Sequence, residues 1–154
     1  MMRALIERYG LTPHPEGGHY RQVYQASQSV YSTAACDQRA AVTHIYFMLM
    51  HGEVSRFHKV LHDELWHVYE GAPIRLIRYQ QSHVEETVIG AGCGDYCAVV
   101  PGGCYQAAES TGDYTLVGCT VAPGFEFDDF SFLSDAADDA LPVDMHHAVL
   151  HRFL

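Results

Sequence analysis

A histidine and a glutamate six positions apart, His58 and Glu64, stand in the stretch GEVSRFHKVLHDELWHVYEG (52–71), between turn glycines Gly52 and Gly71. If the two halves of this stretch are adjacent strands, alternation puts His58 and Val60 on one face of the first. Glu64, Trp66 and Val68 then share a face of the second, with Leu65, His67 and Tyr69 opposite. His58 and Glu64 can thus converge on one cavity. A carboxylate beside an imidazole raises the imidazole pKa and fixes its tautomer. Such a pair can move a proton at neutral pH when an acidic substrate carbon lies within reach. Trp66, the only tryptophan, would line the same cavity.

These residues need strands to position them, and the chain supplies many. HYRQVYQA (19–26), AVTHIYFMLM (41–50), ELWHVYEG (64–71), PIRLIRYQ (73–80), VEETVIG (84–90), YCAVVPGG (96–103) and YTLVGCTVAPG (114–124) are rich in β-formers and bounded by turn residues. Gln81-Ser82-His83 reads as a hairpin loop between two of them. Residues 3–10 suit a short helix with Leu5, Ile6 and Tyr9 on one face. Residues 141–154 suit a closing helix with Met145, Val149 and Phe153 on one stripe. Helices do not alternate with the strands, so the fold class is all-β, a sandwich or barrel. The 154 residues, 48% of them apolar, fit one domain spanning 1–154.

Nineteen acids against nine bases give a net charge of −10, which argues against nucleic acid and against an anionic membrane surface. Six of the acids fall in EFDDFSFLSDAADD (126–139), which reads as a solvated segment. The N-terminus has no uninterrupted apolar run, and the five cysteines are odd in number. Reduced thiols and a cytoplasmic location are expected. Cys93 and Cys97 have CxxxC spacing and no second pair, an incomplete zinc frame.

The spacing G-x5-H-x-V-x3-E-x6-G resembles the first cupin motif, G-x5-H-x-H-x3–4-E-x6-G. Pro101-Gly102-Gly103 resembles the P-x-G element of the second motif, and Gln106 stands where its histidine is expected. HPEGGHYRQVY (14–24), SRFHKVLHDELWHVYEG (55–71), VVPGGCYQAAE (99–109) and LVGCTVAPGFEFDDF (116–130) together resemble a small single-domain cupin family of unknown function, cupin family five. The resemblance implies a double-stranded β-helix, or jelly-roll barrel. It also implies a homodimer and a small-molecule pocket at the barrel's mouth.

A metal-binding cupin uses three histidines and a glutamate; here Val60 and Gln106 replace two of the histidines. Valine donates nothing, and an amide oxygen is a poor ligand for the usual transition metals. His67 has the wrong parity to rescue the site, and His62 lies in the turn. No metal and no cofactor are therefore expected. The favoured reading is a metal-free isomerase or epimerase of a carbohydrate-like metabolite using His58 and Glu64. By analogy with metal-free cupin epimerases, which pair a His base with a Tyr acid, Tyr46 is the first candidate for the acid and Tyr105 the second. Trp66, Gln106 and Tyr105 would contact the ligand, and Arg21 and Arg56 could hold an anionic group bidentately. The alternatives are a metal-dependent dioxygenase or isomerase, and a non-enzymatic metabolite-binding module.

Overall fold

A computed structural model describes residues 1–136 and 148–154. The chain begins with helix α1 (Met2–Tyr9), capped by Gly10 in the left-handed conformation. Strands follow in the order β1 (Thr12–Pro13), β2 (His19–Gln25), β3 (Ser29–Ser32), β4 (Asp37–Ala40), β5 (Thr43–Met50), β6 (Val54–Lys59) and β7 (Asp63–Gly71). Then come β8 (Ile74–Gln80), β9 (His83–Ile89), β10 (Cys97–Val100), β11 (Tyr105–Ser110), β12 (Tyr114–Ala122) and β13 (Ser131–Phe132). Of the expected closing helix, the described part is a short turn, α2 (Ala148–His151). Residues 141–147, with Met145, lie outside the described residues, as does the Val149 side chain. Among the described residues no helix is long and apolar enough to cross a membrane.

Two antiparallel sheets face each other. One runs β1-β2-β5-β12-β7-β10, the other β13-β6-β11-β8-β9, and β3-β4 form a separate ribbon. This is the jelly-roll barrel. Strand β8 turns into β9 through Gln81 and Ser82, both at positive φ, a two-residue hairpin. Phe47, Leu49, Trp66, Ile74, Leu76 and Val117 fill the space between the sheets.

The outer faces are also covered. Leu5, Ile6 and Tyr9 of α1 pack over Met48, Met50 and Leu116. On the other sheet, Leu133, Leu150, Phe153 and Leu154 pack over Phe57, Ile77 and Tyr79. This explains why THIYFMLM in β5 shows no alternation of polar and apolar residues: both of its faces are roofed.

Two local features aim the site residues. The first is a bulge in β6. Gln106 pairs with His58 and Ala108 with Ser55, so three residues on β6 span the distance of two on β11. The second is the tight loop His14–Gly18 ahead of β2, whose Glu16 carbonyl accepts the Arg56 N–H at 2.8 Å. Gly17 has φ 109°, and a Cβ there would collide with the Val54 carbonyl. Only glycine lets the loop lie this close to β6. Replacing Gly17 by Ala should therefore lower unfolding stability by about 3 kcal/mol, measured by chemical denaturation. An unchanged midpoint would mean the loop does not dock as described.

Candidate functional site

Near one end of the barrel the two sheets enclose a cavity of about 40 Å³. His58 and Val60 reach it from one sheet, Glu64 and Trp66 from the other, and His14 and Glu16 from the docked loop. Phe125 and Phe130, from the segment after β12, cap it. His58, Glu64 and Glu16 are all buried.

His58 Nδ1 lies 2.7 Å from the Arg56 carbonyl oxygen, to which it donates. Its Nε2 is 2.8 Å from Glu16 Oε2, and the Phe130 ring stacks on the imidazole at 5.1 Å. Burial pushes His58 towards the neutral form, but the charge and hydrogen bond of Glu16 raise its pKa above the ordinary value. Burial pushes Glu16 up, and the His58 charge and hydrogen bond outweigh it, holding Glu16 below the usual carboxylate range. The two form an imidazolium–carboxylate pair. His14 is pushed down by burial, and its Nδ1 accepts the Glu16 N–H at 3.1 Å.

Glu64 is the second carboxyl in the same enclosure. Burial pushes its pKa up to about 7; the Glu16 charge adds to this, while His58 and a hydrogen bond from Gln106 oppose it. Gln106 Nε2 donates to Glu64 Oε1 at 2.7 Å, and Gln106 Oε1 accepts the Trp66 indole N–H at 2.7 Å. The indole N–H can only donate, so it fixes which way the amide points. Trp66, Gln106 and Glu64 thus form one chain of hydrogen bonds between the sheets.

The structure brings together His58, Glu64, Trp66 and Gln106 and leaves the other sequence candidates elsewhere. Tyr46 is on the outer face of β5, edge-on to Tyr9 and Tyr69, because its neighbours Ile45 and Phe47 point inward. It cannot be the cavity acid. Tyr105 also faces outward, stacked on Tyr79 with the Lys59 ammonium over its ring. Arg21 lies over the Tyr46 ring. The β6 bulge leaves Arg56 outside, where it donates to the Leu154 carbonyl at 3.2 Å and covers Phe132. His67 takes the outer face with His44, and His62 is engaged by the Ser32 hydroxyl at 2.5 Å.

Sequence reasoning missed Glu16, His14 and the aromatic cap. The available signal was a carboxylate set between a proline and two glycines, in HPEGG. The acidic segment is not simply solvated either: Asp129 is buried and takes a bidentate pair of hydrogen bonds from Arg39 of β4, each 2.8 Å.

Residues 3–133 match the family described as Cupin superfamily (DUF985). The chain belongs to this cupin family. A hypothetical protein from Leishmania major shares 28% identity and a TM-score of 0.84, over 97% of this chain and 96% of that one. A Shewanella oneidensis protein solved by crystallography shares 31% identity and a TM-score of 0.79, over 97% and 94%. Bacillus subtilis oxalate decarboxylase is similar in fold alone, at 13% identity and a TM-score of 0.60, over 80% of this chain and 30% of that one. No curated protein matches the chain.

The residues of this cupin do not fit a transition metal at the motif position. Val60 lines the cavity without a donor atom, and both polar atoms of Gln106 are engaged. His58 Nε2 faces Glu16, and its Nδ1 faces a carbonyl. Among the described residues no three His, Cys, Asp or Glu side chains are grouped to hold a metal ion.

Two measurements follow. Carbon-13 NMR of the Glu64 carboxyl should show a midpoint near 7, set by burial; a midpoint below 5 would contradict the enclosure. A carboxyl whose folded pKa is raised binds its proton more tightly when folded, so its contribution to stability falls as pH rises from about 4.5 to about 7. Glu64→Gln removes that loss. Relative to the wild type, the variant should gain up to about 3 kcal/mol between pH 4.5 and pH 8, read as a growing difference in melting temperature.

Proposed function

We propose that this cupin is a metal-independent proton-transfer enzyme, an isomerase or epimerase of a small polar, carbohydrate-like metabolite. One observation carries the reading: Glu64, a carboxyl with its pKa near 7, shares a small, mostly apolar-walled cavity with a buried imidazolium. A general base is most effective when its pKa lies near the working pH. In this reading the Glu64 carboxylate takes a proton from the carbon next to a carbonyl. The C–H electron pair moves into the new carbon–carbon double bond, and the carbonyl oxygen gains the negative charge. His58, kept charged by Glu16 and with both ring nitrogens already engaged, stabilises that oxygen by its positive charge alone. Glu64 then returns the proton. For an isomerisation it goes to the former carbonyl carbon, while the hydroxyl proton of the neighbouring carbon passes to the former carbonyl oxygen and the new carbonyl forms. For an epimerisation it goes to the original carbon, after the intermediate has turned its other face to Glu64. Tyr46 has no part in this scheme, since it does not reach the cavity. A binding module would need the same cavity but would have no use for a carboxyl tuned to neutral pH.

The test is deuterium wash-in, followed by proton NMR, into three-carbon hydroxycarbonyl compounds such as dihydroxyacetone. Exchange should rise with pH through about 7 as Glu64 ionises, and fall at higher pH as His58 loses its proton. Glu64→Gln should slow it by about 10²–10⁴-fold. Chelation with EDTA should leave it unchanged. Exchange that is absent, indifferent to Glu64→Gln, or lost on chelation and restored by a divalent metal would overturn the proposal.

A further inference from the structure

At about 40 Å³ the cavity has room for about three water-sized groups at roughly 10–15 Å³ each, too little for a whole sugar. It does not stand alone. A groove of about 580 Å³ lies beside it, and Tyr20, Thr43, Ile45 and Phe125 line both spaces. The backbone around Phe125 is pinned: its N–H donates to Thr43 Oγ1 at 2.9 Å, and the Gly124 N–H donates to the Ala40 carbonyl at 2.7 Å. Rotation of the Phe125 side chain, rather than movement of the loop, is the way to join the two spaces.

We infer that cavity and groove are two halves of one ligand site parted by Phe125, and that the ligand is an uncharged polyhydroxylated molecule whose carbonyl end enters the cavity while the remainder lies in the groove. The inference rests on the proton-transfer reading of the cavity and deepens it. The groove chemistry selects the class. Gln22 and Gln25 offer amides, each able both to donate and to accept, as vicinal hydroxyls require. Phe127, half of it exposed, offers a ring on which sugar C–H groups can lie.

Charge argues against phosphorylated or nucleotide-linked sugars. Among the described residues the one cation of the groove, Arg21, is drawn over the Tyr46 ring at 5.4 Å. Two carboxylates share the groove with it. Glu126 pairs with Arg39 at 3.6 Å, and Asp128 is exposed. Among the described residues no lysine or arginine lines the cavity. A phosphate would meet acid at the groove, and the cation of the cavity, His58, is already paired with Glu16 at 2.8 Å.

The test is saturation-transfer NMR with maltose and lactose, both reducing disaccharides, as uncharged probes and glucose 6-phosphate as the charged one. The uncharged disaccharides should bind, and glucose 6-phosphate should bind at least tenfold more weakly. Phe127→Ala should weaken disaccharide binding at least fivefold. Gln22→Ala, at an exposed position outside the aromatic cap, should do the same and serves if the first variant unfolds. Phe125→Ala, by removing the partition, should bring the disaccharide signal to the Trp66 ring. Absence of disaccharide binding, tighter binding of the phosphate, or indifference to both groove variants would overturn the inference. The two readings fail separately. A Glu64 midpoint near 7 with an empty groove removes only the bipartite site. Disaccharide binding with Glu64 titrating below 5 supports the groove and removes only the proton-transfer reading.

Discussion

Burial pushes His14 towards its neutral form, so His58 is the one cationic imidazole at a barrel end with two carboxyls, and it can neutralise only one of them. The rest of the site follows from that count. Glu16 wins the pairing because the His14–Gly18 loop presses it against His58 Nε2, at 2.8 Å. Glu64, left without a cation, is held by an amide and keeps its proton to a much higher pH than an exposed carboxyl would. Two carboxyls in one enclosure are thereby split into an ionised partner and a protonatable acid, the division of roles that acid–base catalysis needs. Gly17 is part of the same constraint, since it permits the approach that delivers Glu16.

The amide between the sheets shows how a position that carries a ligating histidine in the cupin motif can be ordered by hydrogen bonds. With an imidazole at Gln106 and another at Val60, four donors could converge. Here Gln106 instead turns one end to the indole and the other to Glu64, and Val60 presents a methyl surface. The position keeps its geometry through hydrogen bonds rather than coordination. Likeness to oxalate decarboxylase is in the fold alone.

The sequence made the central pair legible because the spacing of His58 and Glu64 respects a period of two on each side of a turn. It made Trp66 legible for the same reason. Arg56 was misplaced because a bulge breaks that period between Ser55 and His58, and nothing in SRFH announces a bulge. Tyr46 and Tyr105 were misplaced because both strands carry apolar residues on two covered faces, so composition does not say which face is inside. Glu16 stayed hidden since it lies some forty residues from its partner, in a loop whose glycines read simply as turn formers. The barrel was legible from the many short strands and the family resemblance; the ribbon β3-β4, polar and exposed, was not.

The lone tryptophan gives the molecule an optical property. Its indole lines the cavity, meets the Phe47 ring edge-on at 5.9 Å, and is joined to Glu64 through a single amide. Every other indole signal is absent by composition. Near-ultraviolet emission from the native protein therefore arises at the cavity wall, two hydrogen bonds from the ionising carboxyl. Gain or loss of that proton changes the charge beside the ring, so the fluorescence should report on it without any attached label. The protein carries its own spectroscopic reporter at the wall of the cavity.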